Sequence, residues 1–198
     1  MTLRTLVTLL AVAALGACAY TPPTQTNRLD IRQVPYTPDS GSIALRCGKL
    51  IDGISDTVKR NVLVAIRDGH IKIVKEDASR GDAASTYVPV LDLSDYTCLP
   101  GLIDMHTHLT DRPEDTADLA VYFSRPAEET LRLSKENAAA TLLAGFTSVR
   151  NVGTYSLGSD TALRDLINAG KAVGPRMQAS GPYLTIPHGG GDLYIPDF

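Results

Sequence analysis

The stretch Leu99-Pro100-Gly101-Leu102-Ile103-Asp104-Met105-His106-Thr107-His108-Leu109 decides how this chain reads. Its Pro-Gly pair breaks whatever precedes it, and the apolar run that follows has the length of a strand with two histidines near its end. Side chains on a strand alternate between faces. Asp104, His106 and His108 are therefore expected on one face, and Ile103, Met105 and Thr107 on the other. Two residues apart on a strand is roughly 6.6 Å, close enough for two imidazoles to share an ion at metal–nitrogen distances of about 2.1 Å. A bare His-x-His also describes two solvated histidines, so the meaning of the pair rests on what surrounds it.

Before the Pro-Gly pair, short β-branched or alternating runs at 43–46, 62–67, 71–74 and 88–93 predict a small antiparallel β unit. Asp52-Gly53 and Asp68-Gly69 supply its turns, the second as a tight hairpin. After the pair the texture changes. A strand at 102–108 is followed by a helix at 127–144 stopped by Gly145 and a strand at 146–152. A second helix at 160–169, stopped by Gly170, leads to a strand at 176–180. Strands alternating with helices predict βαβ units and a parallel sheet. His188-Gly189-Gly190-Gly191 reads as a loop.

The N-terminus has a different character. Arg4 precedes an apolar run at 6–15 and the small residues Gly16 and Ala17, the layout of an export signal and too short for a bilayer span of ~20 residues. Leu15-Gly16-Ala17-Cys18 resembles a bacterial lipobox, with Cys18 as the lipidated residue; simple cleavage near Ala17 or Ala19 is the other reading. The Pro-rich stretch 19–40 reads as a tether. The expected address is the periplasm or an outer-membrane lipoprotein, with membrane contact only through that anchor. Cys47 and Cys98 are then either a disulfide or two buried thiols. A net charge of −3 over 198 residues, without a basic run, excludes a nucleic-acid footprint.

From Pro100 to His108 the chain resembles the amidohydrolase superfamily, whose members join a small β-sandwich to a metal-bearing barrel through a PG-[LF]-ID-x-H-x-H stretch. Ala144-Gly145-Phe146-Thr147-Ser148-Val149-Arg150-Asn151-Val152-Gly153 and Gly174-Pro175-Arg176 are similar to the AG-x-TTVRD-x-G and GPR stretches of its imidazolonepropionase-like and prolidase-like branch. Asn151 departs from the usual Asp, which puts in question any pairing of that position with Arg150.

After the signal and lipobox at 1–18 and the linker at 19–40, the resemblance implies an α/β chain with a small β-sandwich-like domain at 41–99 and, at 100–198, an incomplete (β/α)8 barrel of about three βα units. It implies a hydrolase of amide or peptide C–N bonds, Xaa-Pro dipeptidase-like or imidazolonepropionase-like, working through a metal-activated water. His106 and His108 would hold a divalent metal, zinc in expectation, one of two in the complete barrel. A carboxylated Lys, two further His and an Asp from later strands complete the family's set. With ~250 residues in a typical barrel, the chain is expected to be truncated and inactive alone. Arg150, Tyr155, Tyr183 and His188 fall after or near strand ends and are candidates to bind a small-molecule or peptide substrate. The catalytic residues proper are not assigned, and self-association stays open. The alternative is a non-catalytic exported module that keeps the motif as a remnant.

Overall fold

The computed structural model describes residues 41–79, 81–82 and 88–193. The expected signal, the lipidation site at Cys18 and the tether lie outside them.

Four strands form the first sheet: β1 (Ser42–Leu50), β2 (Lys59–Arg67), β3 (His70–Lys75) and β4 (Val90–Cys98), in the order β3-β2-β1-β4. The β2–β3 hairpin closes at Asp68-Gly69, both with positive φ (50° and 71°), the geometry a two-residue turn of the expected kind needs. β1 and β2 are antiparallel, from Ser42 against Arg67 to Leu50 against Lys59. β4, however, runs parallel to β1, so the unit is mixed where the sequence predicted an antiparallel one. It is also a single sheet among the described residues, where a sandwich-like unit was expected. The local alternation of residues 88–93 specifies a strand and not its partner; both faces of the sheet are packed, with Val88 and Val90 on one cluster and Cys98 on the other. Val62 and Val64 pack with Cys47 and Leu50 on one side, while Leu63 packs with Ala44 and Ala78 on the other.

Cys47 and Cys98 are disulfide-bonded across β1 and β4, with Cα atoms 6.0 Å apart. The bridge lies immediately before Leu99-Pro100-Gly101 and ties the exit of the first sheet to its buried centre.

The second sheet is parallel: β5 (Leu102–Thr107), β6 (Phe146–Asn151) and β7 (Arg176–Ala179), in that order. The crossovers are α1 (Ala127–Leu143) and α2 (Ser159–Asn168). Pro126 precedes α1, Glu128 and Glu129 occupy its first turn near the positive end of the helix dipole, and Gly145 ends it at φ 100°. Ala138 of α1 and Leu163 of α2 meet Val149 of β6, Met177 of β7 and Leu109 in the core of this half. The sheet's opposite face is left open: Ile103 and Met105 are 65% and 50% exposed and line a groove with Ser148, Arg150, Arg176 and Gln178.

Replacing Cys47 and Cys98 together by Ser is expected to lower unfolding stability by about 2–5 kcal/mol. Urea denaturation under oxidising and reducing conditions checks this. The wild type should fall to the variant's stability only in reductant.

Candidate functional site: a histidine pair beside a tyrosine-lined cavity

The strand that presents the histidines breaks the expected alternation. Asp104 pairs with Val149 and Thr107 with Asn151, so three steps along β5 match two along β6. This bulge re-aims the side chains. Asp104 and Thr107 share the register of Val149 and Asn151 on the helix side, while Ile103 and Met105 line the open groove. The expectation that Ile103 and Met105 pack under the helices, with Asp104 facing the same way as both histidines, is thus corrected. Two side chains hold the bulge: Asp104 Oδ1 accepts the His106 N–H at 2.9 Å, and Arg150 Nε donates to the Met105 carbonyl at 2.8 Å.

The rings of His106 and His108 stand edge to face, centroids 5.3 Å apart. His108 Nδ1 lies 2.9 Å from Tyr183 Oη and 3.4 Å from the Gly153 carbonyl. A carbonyl only accepts, whereas the Tyr183 hydroxyl can donate or accept; in the tautomer that satisfies both contacts the ring proton sits on Nδ1 and the Nε2 lone pair is free. An oriented imidazole with a free Nε2 is what a metal ligand needs. Among the described residues no group of three His, Cys, Asp or Glu side chains is placed to hold a metal ion.

Asn151 underlies this arrangement. It is fully buried; its Oδ1 accepts the Leu109 N–H at 2.7 Å, and its Nδ2 donates to the Gly153 carbonyl at 3.2 Å. One side chain thereby fixes the backbone just after His108 and the carbonyl that His108 faces. Residue 151 looks away from the groove where Arg150 lies, so Arg150 is engaged by β5 and not by its neighbour. Gly153, at φ 136°, carries the Tyr183 ring so closely that a Cβ there would come within 2.1 Å of it.

The loops that follow the three parallel strands are fastened to one another. Thr110 Oγ1 donates to Thr154 Oγ1 at 3.1 Å, Thr154 and Ser159 hydroxyls meet at 3.1 Å, and buried Asp160 accepts the Gly181 N–H at 2.8 Å. Arg125 forms a two-pronged pair with buried Asp115, whose carboxyl that guanidinium holds below its ordinary range.

Between these loops opens a cavity of about 350 Å³ lined by His108, Asp111, Arg112, Pro113, Thr116, Tyr122, Tyr155 and Tyr183. Tyr155 and Tyr183, expected from sequence, are therefore brought to His108. Two other candidates are not: Arg150 lines the groove, and His188, exposed at φ 62° with its N–H on Asp192, is not among the cavity's residues. Asp111 and Tyr122 were not singled out by sequence; Asp111 lies three residues past His108, but Tyr122 sits in a stretch with no periodicity to mark it. Burial pushes the Asp111 carboxyl up. It also pushes the Tyr183 phenol up to about 12, with the Asp111 charge adding to the effect.

The sequence profile described as "Amidohydrolase family" matches residues 97–195, half of the chain. The chain belongs to the amidohydrolase family. Ochratoxinase of Aspergillus niger is 31% identical over 171 residues, which cover 81% of this chain and 32% of that protein. Among solved structures, a Xaa-Pro dipeptidase with methionine bound in its active site superposes with a TM-score of 0.68 at 34% identity, over 76% of this chain and 36% of the other. A prolidase in complex with N-methylphosphonate-L-proline gives 0.64 at 27% identity, over 79% and 37%. The chain spans about a third of the length of these relatives. Members of the family generally use divalent metals.

Asn151→Asp tests the buried amide. A carboxylate cannot donate to the Gly153 carbonyl, so the variant is expected to lose about 1–3 kcal/mol at pH 7. Burial raises the folded-state pKa of such a group, so its penalty is greatest above that pKa and fades as pH falls toward the unfolded value of about 3.9. Urea denaturation at pH 7 and pH 4.5 should show the gap to wild type narrowing in acid.

Proposed function

We propose that the chain supplies the first part of an exported, metal-dependent hydrolase of amide or peptide C–N bonds. In this reading residues 41–99 are the small β domain and residues 100–198 the first three βα units of a (β/α)8 barrel, with the histidines at the C-terminal end of its first strand. The observation that carries the reading is the His106–His108 pair, held with its rings 5.3 Å apart and with His108 Nδ1 engaged by Tyr183 and the Gly153 carbonyl. The hydrolase relatives support the chemistry. The apolar run at 6–15 and the lipobox at Cys18 support export to the periplasm or the outer membrane.

A bound divalent ion, zinc in our reading, supplies Lewis acidity toward the scissile carbonyl and toward water. His106 and His108 would hold it through ring nitrogens. Tyr183, hydrogen-bonded to His108 Nδ1, fixes that ring. Asp104 and Arg150 keep the bulge that sets the histidines side by side. Asp111 and the tyrosines wall the cavity where a small-molecule or peptide substrate lies against His108. Further metal ligands and the proton-transferring group belong to later strands of the barrel.

The test is zinc-dependent cleavage of a panel of dipeptides and N-acyl amino acids by the chain joined to the later strands of the barrel, with bound zinc measured in parallel. Replacing His106 and His108 together by Ala is expected to lower turnover by at least about a hundredfold and to remove the bound zinc. Turnover and zinc content that survive the double substitution contradict the reading. A protein that binds no zinc through the pair and cleaves nothing on the panel is instead a non-catalytic exported module.

A further inference from the structure

Three tyrosines distant in sequence converge beside His108. The Tyr155 ring centroid lies 5.1 Å from that of Tyr122 and 4.6 Å from that of Tyr183, and Phe123 adds a fourth ring 5.9 Å from Tyr155. Tyr122 comes from the helical turn Val121–Ser124, Tyr155 from the loop after β6 and Tyr183 from the loop after β7. None of the three belongs to the apolar cluster between the sheet and the helices, so packing of that core does not account for them. They are partly buried around the cavity that also holds His108.

The cavity's lining says which group it takes. Its walls are ring faces and edges, which attract a further ring in a tilted or offset arrangement. Its two charged liners, Asp111 and Arg112, are of opposite sign, and the Arg112 guanidinium lies 3.9 Å from Glu136, outside the lining. A cation held by Asp111 among the tyrosines is the competing occupant, which the tetramethylammonium titration below distinguishes. About 350 Å³ holds one aromatic side chain and the amide that carries it.

We propose that this cavity is a specificity subsite for a flat, uncharged aromatic group on the substrate, packed against Tyr155 and Tyr183 while the amide it carries reaches His108. The proposal rests on the hydrolase reading of the histidine pair and deepens it by naming the substrate class: aromatic amides over small aliphatic ones.

The test is a calorimetric titration of the chain, without added metal, with N-acetyl-L-phenylalanine amide, N-acetyl-L-alanine amide and tetramethylammonium. The phenylalanine probe is expected to bind about tenfold more tightly than the alanine probe. Tyr155→Phe should keep that preference, and Tyr155→Ala should bring the two probes within about twofold. Tyr122→Ala, outside the fastened strand-end loops, is expected to give the same loss and serves if Tyr155→Ala does not fold. Equal binding of the two amides overturns the proposal, as does a preference that survives both alanine variants. Tetramethylammonium binding as tightly as the phenylalanine probe also overturns it and makes the cavity a cation site. Zinc-dependent hydrolysis of the same two amides by the chain joined to the later strands of the barrel is scored separately. Turnover without the binding preference overturns the subsite and leaves the hydrolase reading, and the preference without turnover does the opposite.

Discussion

The interaction on which the site depends is the buried amide of Asn151. In a region without solvent, each polar group must find a partner inside the protein, and this side chain satisfies a backbone N–H and a backbone carbonyl at once. The N–H belongs to Leu109, next to His108; the carbonyl belongs to Gly153, which His108 Nδ1 also faces. Position and orientation of one imidazole therefore follow in part from a side chain that never touches it. An amide can do this because it both donates and accepts, which an ionised carboxylate cannot.

From that point the order spreads in two directions. Along β5 the bulge held by Asp104 and Arg150 sets His106 beside His108. Across the strand ends, the hydroxyls of Thr110, Thr154 and Ser159 and the carboxylate of Asp160 join three loops that would otherwise move independently. Those loops carry Tyr155 and Tyr183. Rigid strands below and cross-linked loops above are the arrangement by which a barrel-type sheet places side chains around a reacting group.

Much of this was legible in the sequence, and the part that was not has a common cause. The Pro-Gly break, the parallel βαβ order and the helix ends at Gly145 and Gly170 are encoded locally, in turn chemistry and periodicity, and the structure reproduces them within a residue or two. Family membership was legible as well, because the histidine pair and the stretch from Ala144 to Gly153 lie together in order. What escaped is long-range. The parallel pairing of β4 with β1 joins segments some 45 residues apart and leaves no mark in either. The bulge depends on the Arg150 guanidinium reaching across from β6, so strict alternation misplaced Ile103, Met105 and Asp104. Asn151 was noticed as a departure, yet its partners lie on another strand and around a turn. Tyr122 and Asp111 join the cavity only because the chain folds back after His108.

The central claim is that this fold prepares the two histidines to share one ion through the nitrogens that the protein leaves free. Anomalous diffraction at the zinc edge from crystals of the zinc-loaded protein tests it most directly. The account predicts a single peak within about 2.1 Å of Nε2 of both His106 and His108, with His108 Nδ1 still on Tyr183. Zinc on His108 Nδ1, or zinc bound away from the pair, would contradict it.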